Sequence, residues 1–156
     1  QGRHSLMFVD APGQEHSWQP HLRYSVRWRR GIVRGRFDVR LEPGAEFWHE
    51  WRDDRGPFRV GPTLRINGAG ELRSGDRVLC TVPLGEWFGL TIRTGVGEDA
   101  DGTFDLAVRR KGEAPRWFRT LGCGSPDHDR ITWVGFVSEA TDRQVFYIDN
   151  LNFERE

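Results

Sequence analysis

The chain is patterned in twos. LRYSVRW (22–28) sets Leu22, Tyr24, Val26 and Trp28 against Arg23, Ser25 and Arg27. GIVRGRFDVRLEPG (31–44) sets Val33, Gly35, Phe37, Val39 and Leu41 against Arg34, Arg36, Asp38 and Arg40. Successive side chains of an extended strand point to opposite faces, so this period marks half-buried β-strands. Segments 62–67, 77–82, 86–94, 103–110, 115–121, 131–138 and 145–154 are further strand candidates. Between them stand NGAG, SGD, GEDADG and KGEAP, residues that accept positive φ or bond their own backbone and so make turns. No window of ~11 residues carries a helical apolar face, and 19 Gly with 8 Pro argue the same way. Short strands with turns every ~8–12 residues predict an all-β antiparallel sandwich or barrel.

Composition narrows the partners. With 156 residues the chain makes one domain able to bury a continuous core. At 37% hydrophobic and 12% aromatic residues it is neither disordered nor membranous, and no apolar run approaches the ~18 residues of a membrane-inserted helix. Its 23 basic and 23 acidic residues cancel, which excludes the general basic excess of a nucleic-acid surface. Only Lys111 among the basic residues is a lysine. Either codon bias explains this, or planar guanidinium forks are wanted for carboxylate or sulfate groups. Cys80 and Cys123 form one disulfide in an exported protein or stay as two thiols, and their spacing fits no metal knuckle. The chain begins at Gln1 rather than Met and carries no signal peptide, as expected of a piece of a longer polypeptide.

Two long stretches carry a resemblance. EWFGLTIRTGVGEDADGTFDLAVRRKGEAPRWF is a Trp-led strand, a polar turn and a second strand; ITWVGFVSEATDRQVFYIDNLNFE adds a hydrophobic strand and a closing one. Trp87, Gly135, Phe136 and Tyr147 to Asn150 resemble the ending of concanavalin A-like lectin/glucanase domains, and the likeness extends loosely back to SLMFVDAPG. The resemblance implies two curved antiparallel sheets in jelly-roll topology, with carbohydrate bound across the concave sheet. It does not imply catalysis, because this fold serves lectins, binding modules, lyases and hydrolases alike. It also places Asp149 where many relatives hold a structural calcium, with Asp10 or Glu15 to complete the shell. Calcium wants six to eight oxygens, and Asp149 capping a turn is the competing account. The acidic loop GEDADG lacks the register of a calcium loop and reads as a hairpin turn.

The densest chemistry is EFWHEWRDD (46–54). As a strand it splits into Phe47, His49, Trp51 and Asp53 on one face and Glu46, Trp48, Glu50 and Arg52 on the other. The first set reads as core, with His49 a satisfied buried histidine. The second combines an indole that can stack on the C–H side of a pyranose with charged groups that can bond its hydroxyls; a solvated face of cross-strand ion pairs is the plainer account. Exposure of Trp48 favours the working surface. Arg36 and Asp38 on the preceding polar face, and Thr63 and Arg65 on the next, are expected to adjoin it, giving an arginine-rich surface suited to an anionic glycan.

Cleavage is the alternative. Family 16 glycoside hydrolases of the superfamily carry Glu-x-Asp-x-Glu; Glu46 and Glu50 have the outer spacing, but Trp48 stands in the middle. Their Cα atoms would lie ~13 Å apart in an extended strand, against the ~5–5.5 Å between carboxyls of a retaining pair, a gap that long side chains can narrow. A lyase would need a base such as His49 or Tyr24 beside the arginines. The leading expectation is a non-catalytic, lectin-like module recognising a polysaccharide. It would be covalently attached to a neighbouring domain and exported to an extracellular, periplasmic or cell-surface location. A hydrolase or lyase using Glu46 and Glu50 comes second, a structural accessory domain without ligand third.

Overall fold

In the computed structural model, which describes residues 4–140 and 142–156, the alternating segments become twelve strands. They run β1 (Leu6–Asp10), β2 (His21–Trp28), β3 (Gly31–Leu41), β4 (Phe47–Arg52), β5 (Val60–Ile66) and β6 (Glu71–Ser74). The second half supplies β7 (Arg77–Thr81), β8 (Phe88–Val96), β9 (Thr103–Arg110), β10 (Arg116–Gly122), β11 (Ile131–Val137) and β12 (Gln144–Arg155). Among the described residues the only helical element is the 3-10 turn Gly97–Asp99. It lies in the acidic loop and joins the antiparallel neighbours β8 and β9, as a hairpin turn should.

The strands make two six-stranded antiparallel sheets. Sheet A has the order β1-β12-β3-β8-β9-β10, and sheet B the order β2-β11-β4-β5-β6-β7. This is the two-sheet antiparallel jelly-roll sandwich that the resemblance implies.

In β3, β4 and β11 the inward residues are those the alternation selects, whereas Tyr24 of β2 is exposed. Phe37, Val39 and Leu41 of β3 face Phe47, His49 and Trp51 of β4 and Val134 and Phe136 of β11, all essentially inaccessible to solvent. Phe37 and Phe136 meet edge to face at 5.0 Å, and aromatic pairs in this arrangement add to the plain burial of their area. Gly35 is also inward because Trp51 reaches across from the other sheet. A Cβ there would lie 2.6 Å from both the Trp51 indole and the Phe153 ring.

One expectation fails here. The link after Leu41 carries the chain from one sheet to the other, so β3 and β4 are not neighbours: β3 sits between β12 and β8, β4 between β11 and β5. The polar side chains of β3, Arg36 and Asp38 included, are on the outer face of sheet A and cannot join those of β4. Alternation fixes which face of a strand is polar, not which sheet the strand enters. The disulfide alternative also fails, since Cys80 and Cys123 are both free.

Candidate functional site

Strand β4 shows how the sequence builds the site. Its inner side chains fix the strand, and His49 is the keystone of that side. The Trp51 indole donates to His49 Nε2 at 2.7 Å, so the ring proton is on Nδ1, which donates to the Gly135 carbonyl at 2.8 Å. Phe136 stacks on the imidazole at 4.4 Å. Burial lowers the His49 pKa to about 3, against a smaller opposite effect of the Gly135 bond. The ring is a neutral, satisfied core group, sealed from any ligand, and is no base for surface chemistry.

The outer side chains of β4 enter rows with their cross-strand partners. Trp48 stands between Val137 of β11 and Arg65 of β5, Glu50 between Gly135 and Thr63, and Arg52 between Trp133 and Val60. Arg52 is the hub. Its guanidinium lies 4.4 Å from the Trp133 ring, 4.4 Å from the Phe58 ring and 5.7 Å from the Trp48 ring, and it forms a tight ion pair with Glu50. Arg65 stacks on Trp48 at 4.3 Å, while the Trp48 indole donates to Thr63 Oγ1 at 3.2 Å. Stacked guanidinium and indole hold each other's orientation at a gain of ~0.5–2 kcal/mol per pair, the larger where water is excluded.

Two expectations for this strand are corrected. Trp48 is half-buried rather than free, because two arginines flank it. Glu50 is buried, with 4% of its surface accessible. Burial raises its pKa, and the hydrogen bond and charge of Arg52 offset only part of that. Glu46 precedes β4, is exposed, and lines a separate small depression with Trp48, Arg65 and Glu71. The two carboxylates proposed as an alternative catalytic pair thus have different surroundings, with Trp48 between them in the chain.

A larger opening lies on the other side of Trp48. A cavity of about 580 Å³ is lined by Trp18, Trp48 and Trp133, by Arg23 and Arg52, and by His21, Val137 and Glu139. Trp18 comes from the segment before β2 and packs edge-on to His21 at 4.8 Å. The Trp133 ring lies over Gly135, where a Cβ would collide with it. Arg52, Arg65 and Arg73 each have a carboxylate partner, in Glu50, Glu139 and Glu71. Arg23 has none among the described residues. Of these groups Trp18, His21, Arg23, Trp133 and Glu139 escaped the sequence reading. Trp133 had a signal, since it alternates against Val134 and Phe136; Trp18 is outside any strand and had none.

Calcium ligation by Asp10 and Asp149 together does not fit. Asp10 pairs with Gln144, five residues along β12 from Asp149, a separation of ~17 Å on an extended strand. Asp10 is buried and accepts the backbone N–H groups of Ala11 at 2.8 Å and Ala140 at 3.0 Å, which ties the end of β1 to the loop before β12. Asp149 accepts the N–H of Asn150 at 2.7 Å. Glu15 is exposed beside His16. Among the described residues no group of three or more His, Cys, Asp or Glu is placed to hold a metal ion.

No protein-family model matches the chain, and no curated protein sequence matches it. Solved structures do. An endo-β-1,4-glucuronan lyase from the fungus Trichoderma reesei superposes with a TM-score of 0.67 at 10% identity, over 100% of this chain and 83% of that one. The alginate lyase AlgAT5 of polysaccharide lyase family 7 gives 0.62 at 14%, over 97% and 78%. A homodimeric agglutinin from chicken liver, CG-16, gives 0.50 at 12%, over 86% and 99%. The fold is shared with polysaccharide-cleaving enzymes and agglutinins alike, at identities that speak for the fold alone.

Proposed function

We propose that the chain binds a polysaccharide through the outer face of sheet B and does not cleave it. One observation carries this reading: three indoles and two guanidiniums converge on a single open cavity of about 580 Å³. The Trp18 and Trp133 indoles offer stacking faces for pyranose rings, while Arg23, His21 and Glu139 supply donors and an acceptor for hydroxyls. Arg23, without a carboxylate partner, leaves one cation for a uronate or sulfate. The lyases and agglutinin of the same fold supply the ligand class by analogy. Such a module works outside the cell, attached to a glycan-active neighbour. No helix among the described residues is long and apolar enough to cross a membrane.

How the acids and candidate bases are held supports binding without cleavage. Glu50 is buried under Arg52, Glu46 is apart from it, and His49 is in the core. A lyase reading draws on His21, which lines the cavity beside Arg23 and Arg52 and could take a proton α to a uronate carboxylate. The test is a glycan array with a turnover assay. Binding without product, weakened by Trp133→Ala, is expected. Ultraviolet absorbance from an unsaturated uronate product would make the protein a lyase, and no binding to any glycan would leave a structural accessory domain.

A further inference from the structure

The failed adjacency of β3 and β4 leaves a second arginine-rich surface unexplained. On the outer face of sheet A, Arg36, Thr91, Ala107 and Trp117 stand in one row across β3, β8, β9 and β10. Thr91 and Ala107 are small, so the row is a floor with a guanidinium at one side and an indole at the other. The next row holds Asp38, Gly89 and Arg109. Gly89 leaves them room: a Cβ would lie 2.9 Å from Asp38 Oδ1 and 3.2 Å from the Arg109 guanidinium, which meet above it at 3.5 Å. Three cavities of about 530, 450 and 580 Å³ share lining residues with their neighbours and follow one another as a trough from Trp87 to Arg93. Along β8 that is ~20 Å, the length of an oligosaccharide rather than a single sugar.

Two strained bulges flank the trough. β12 breaks register between Asp149 and Asn152, and Asn150 takes φ 53° there. Its side-chain amide thereby reaches Asp38 Oδ2 at 2.7 Å. β10 breaks register between Phe118 and Leu121, where Thr120 takes φ 55°. Beside it Arg119 stacks on Trp117 at 4.0 Å and bonds Asp105 at 2.6 Å, bracing an indole that remains 44% exposed. Non-glycine residues at positive φ are costly and collect where side chains must be aimed.

The pairing of charges narrows the occupant. Arg34 and Arg93 are paired with Glu154 and Glu156, but Arg36 is exposed and has no carboxylate partner among the described residues. Arg109 has only the long contact to Asp38. We infer that the outer face of sheet A is a second binding surface, for a chain of acidic sugars bearing carboxylate or sulfate groups. Arg36 and Arg109 take the anions, and Trp117 takes a ring face. Asp38, Asn150 and Asn152 in the same trough favour hydroxyls and disfavour a dense phosphate backbone. With the sheet B site on the opposite side, the domain is bivalent and links two polymer chains; that clause rests on the function proposed above, whereas the second surface does not.

The experiment uses the Trp133→Ala protein, whose sheet B platform is removed. Its affinity is measured for polygalacturonate, dextran sulfate and neutral dextran. The acidic polymers should still bind and dextran should not. Adding Arg36→Ala or Trp117→Ala should weaken the acidic polymers about tenfold, while Arg77→Ala, an exposed arginine on the edge strand of sheet B, should change nothing. An unshifted melting curve certifies each variant, and Arg109→Gln replaces any that unfolds. Loss of all acidic-polymer binding in Trp133→Ala overturns the second surface and spares the first. Equal weakening by Arg77→Ala reduces it to diffuse electrostatics and overturns it, as does dextran binding that Arg36→Ala abolishes. Undiminished binding of every glycan by Trp133→Ala would instead overturn the sheet B site and leave the second surface standing.

Discussion

The Trp51 indole N–H donates to His49 Nε2 at 2.7 Å where both side chains are fully buried. Trp51→Ala should therefore cost ~3–5 kcal/mol through lost burial and the cavity left behind. Trp51→Phe keeps most of the ring but strands the His49 lone pair, costing ~1–3 kcal/mol. Trp48, half-buried between Arg52 and Arg65, should cost only ~1–2 kcal/mol on replacement by Ala. Urea denaturation measures all three. An order in which Trp48→Ala is the worst would reverse the faces assigned to β4.

Acid should weaken the fold through its histidines. Burial lowers the His49 pKa to about 3 and also lowers that of His128, both from 6.5. Below 6.5 the unfolded chain takes up protons that the folded one refuses, so stability falls as pH drops from 6.5 toward 3. His49→Gln should be less stable at neutral pH but lose less across that window. Denaturant midpoints at successive pH values decide it; an equal slope in the variant would place the refused proton elsewhere.

Glu50 acts with the opposite sign. Burial raises its pKa above 4.5, so folding favours the protonated acid, and a stabilising contribution present below 4.5 is lost as pH rises through the folded value. Glu50→Gln should melt higher than the wild type at neutral pH, the gain vanishing below pH 4.5. Glycan affinity should nevertheless drop, because Arg52 loses its anchor. A lower melting temperature at neutral pH would mean that the Arg52 pair outweighs burial.

Gly135 tests the platform without replacing the indole. It has ordinary extended φ, yet a Cβ would occupy the space of the Trp133 ring. Gly135→Ala should leave the circular dichroism of the sandwich intact while changing Trp133 fluorescence and weakening glycan binding by an amount close to that of Trp133→Ala. Unchanged binding would remove Trp133 from the site.

The thiols should be silent. Burial pushes Cys123 up to about 12 and raises Cys80 as well. Alkylation at mildly alkaline pH should be slow until denaturant is added, and reductant should not move the melting curve. A reductant-sensitive melt would mean that a disulfide forms after all.

Most strands were legible because period-2 burial is a local property: Val33 to Leu41 and Phe47 to Trp51 point where their spacing says. β1 and β6 were not named as strands; β6 is only four residues long. Sheet membership was not legible, since it depends on how five residues between Leu41 and Phe47 cross the sandwich, and so Arg36 and Asp38 were given the wrong neighbours. The site was half legible. Trp48, Glu50, Arg52 and Arg65 do share a face, but the burial of Glu50 depends on Arg52 and on its neighbours across the sheet. The cavity wall from Trp18 to Arg23 is brought in by the pairing of β2 with β11, far away in sequence.

That pairing also sets the order in which the fold can appear during synthesis. β8, β9 and β10 form a local meander, as do β4 to β7, but Leu6 waits for Ile148 and His21 for Val137. β12 lies between β1 and β3, so sheet A is open along its middle until the last strand has left the ribosome. Closing loops this long is slow, and until then two unpaired edges are available to other chains. The nascent domain should depend on chaperones that shield strand edges for most of its time on the ribosome, whatever its final stability.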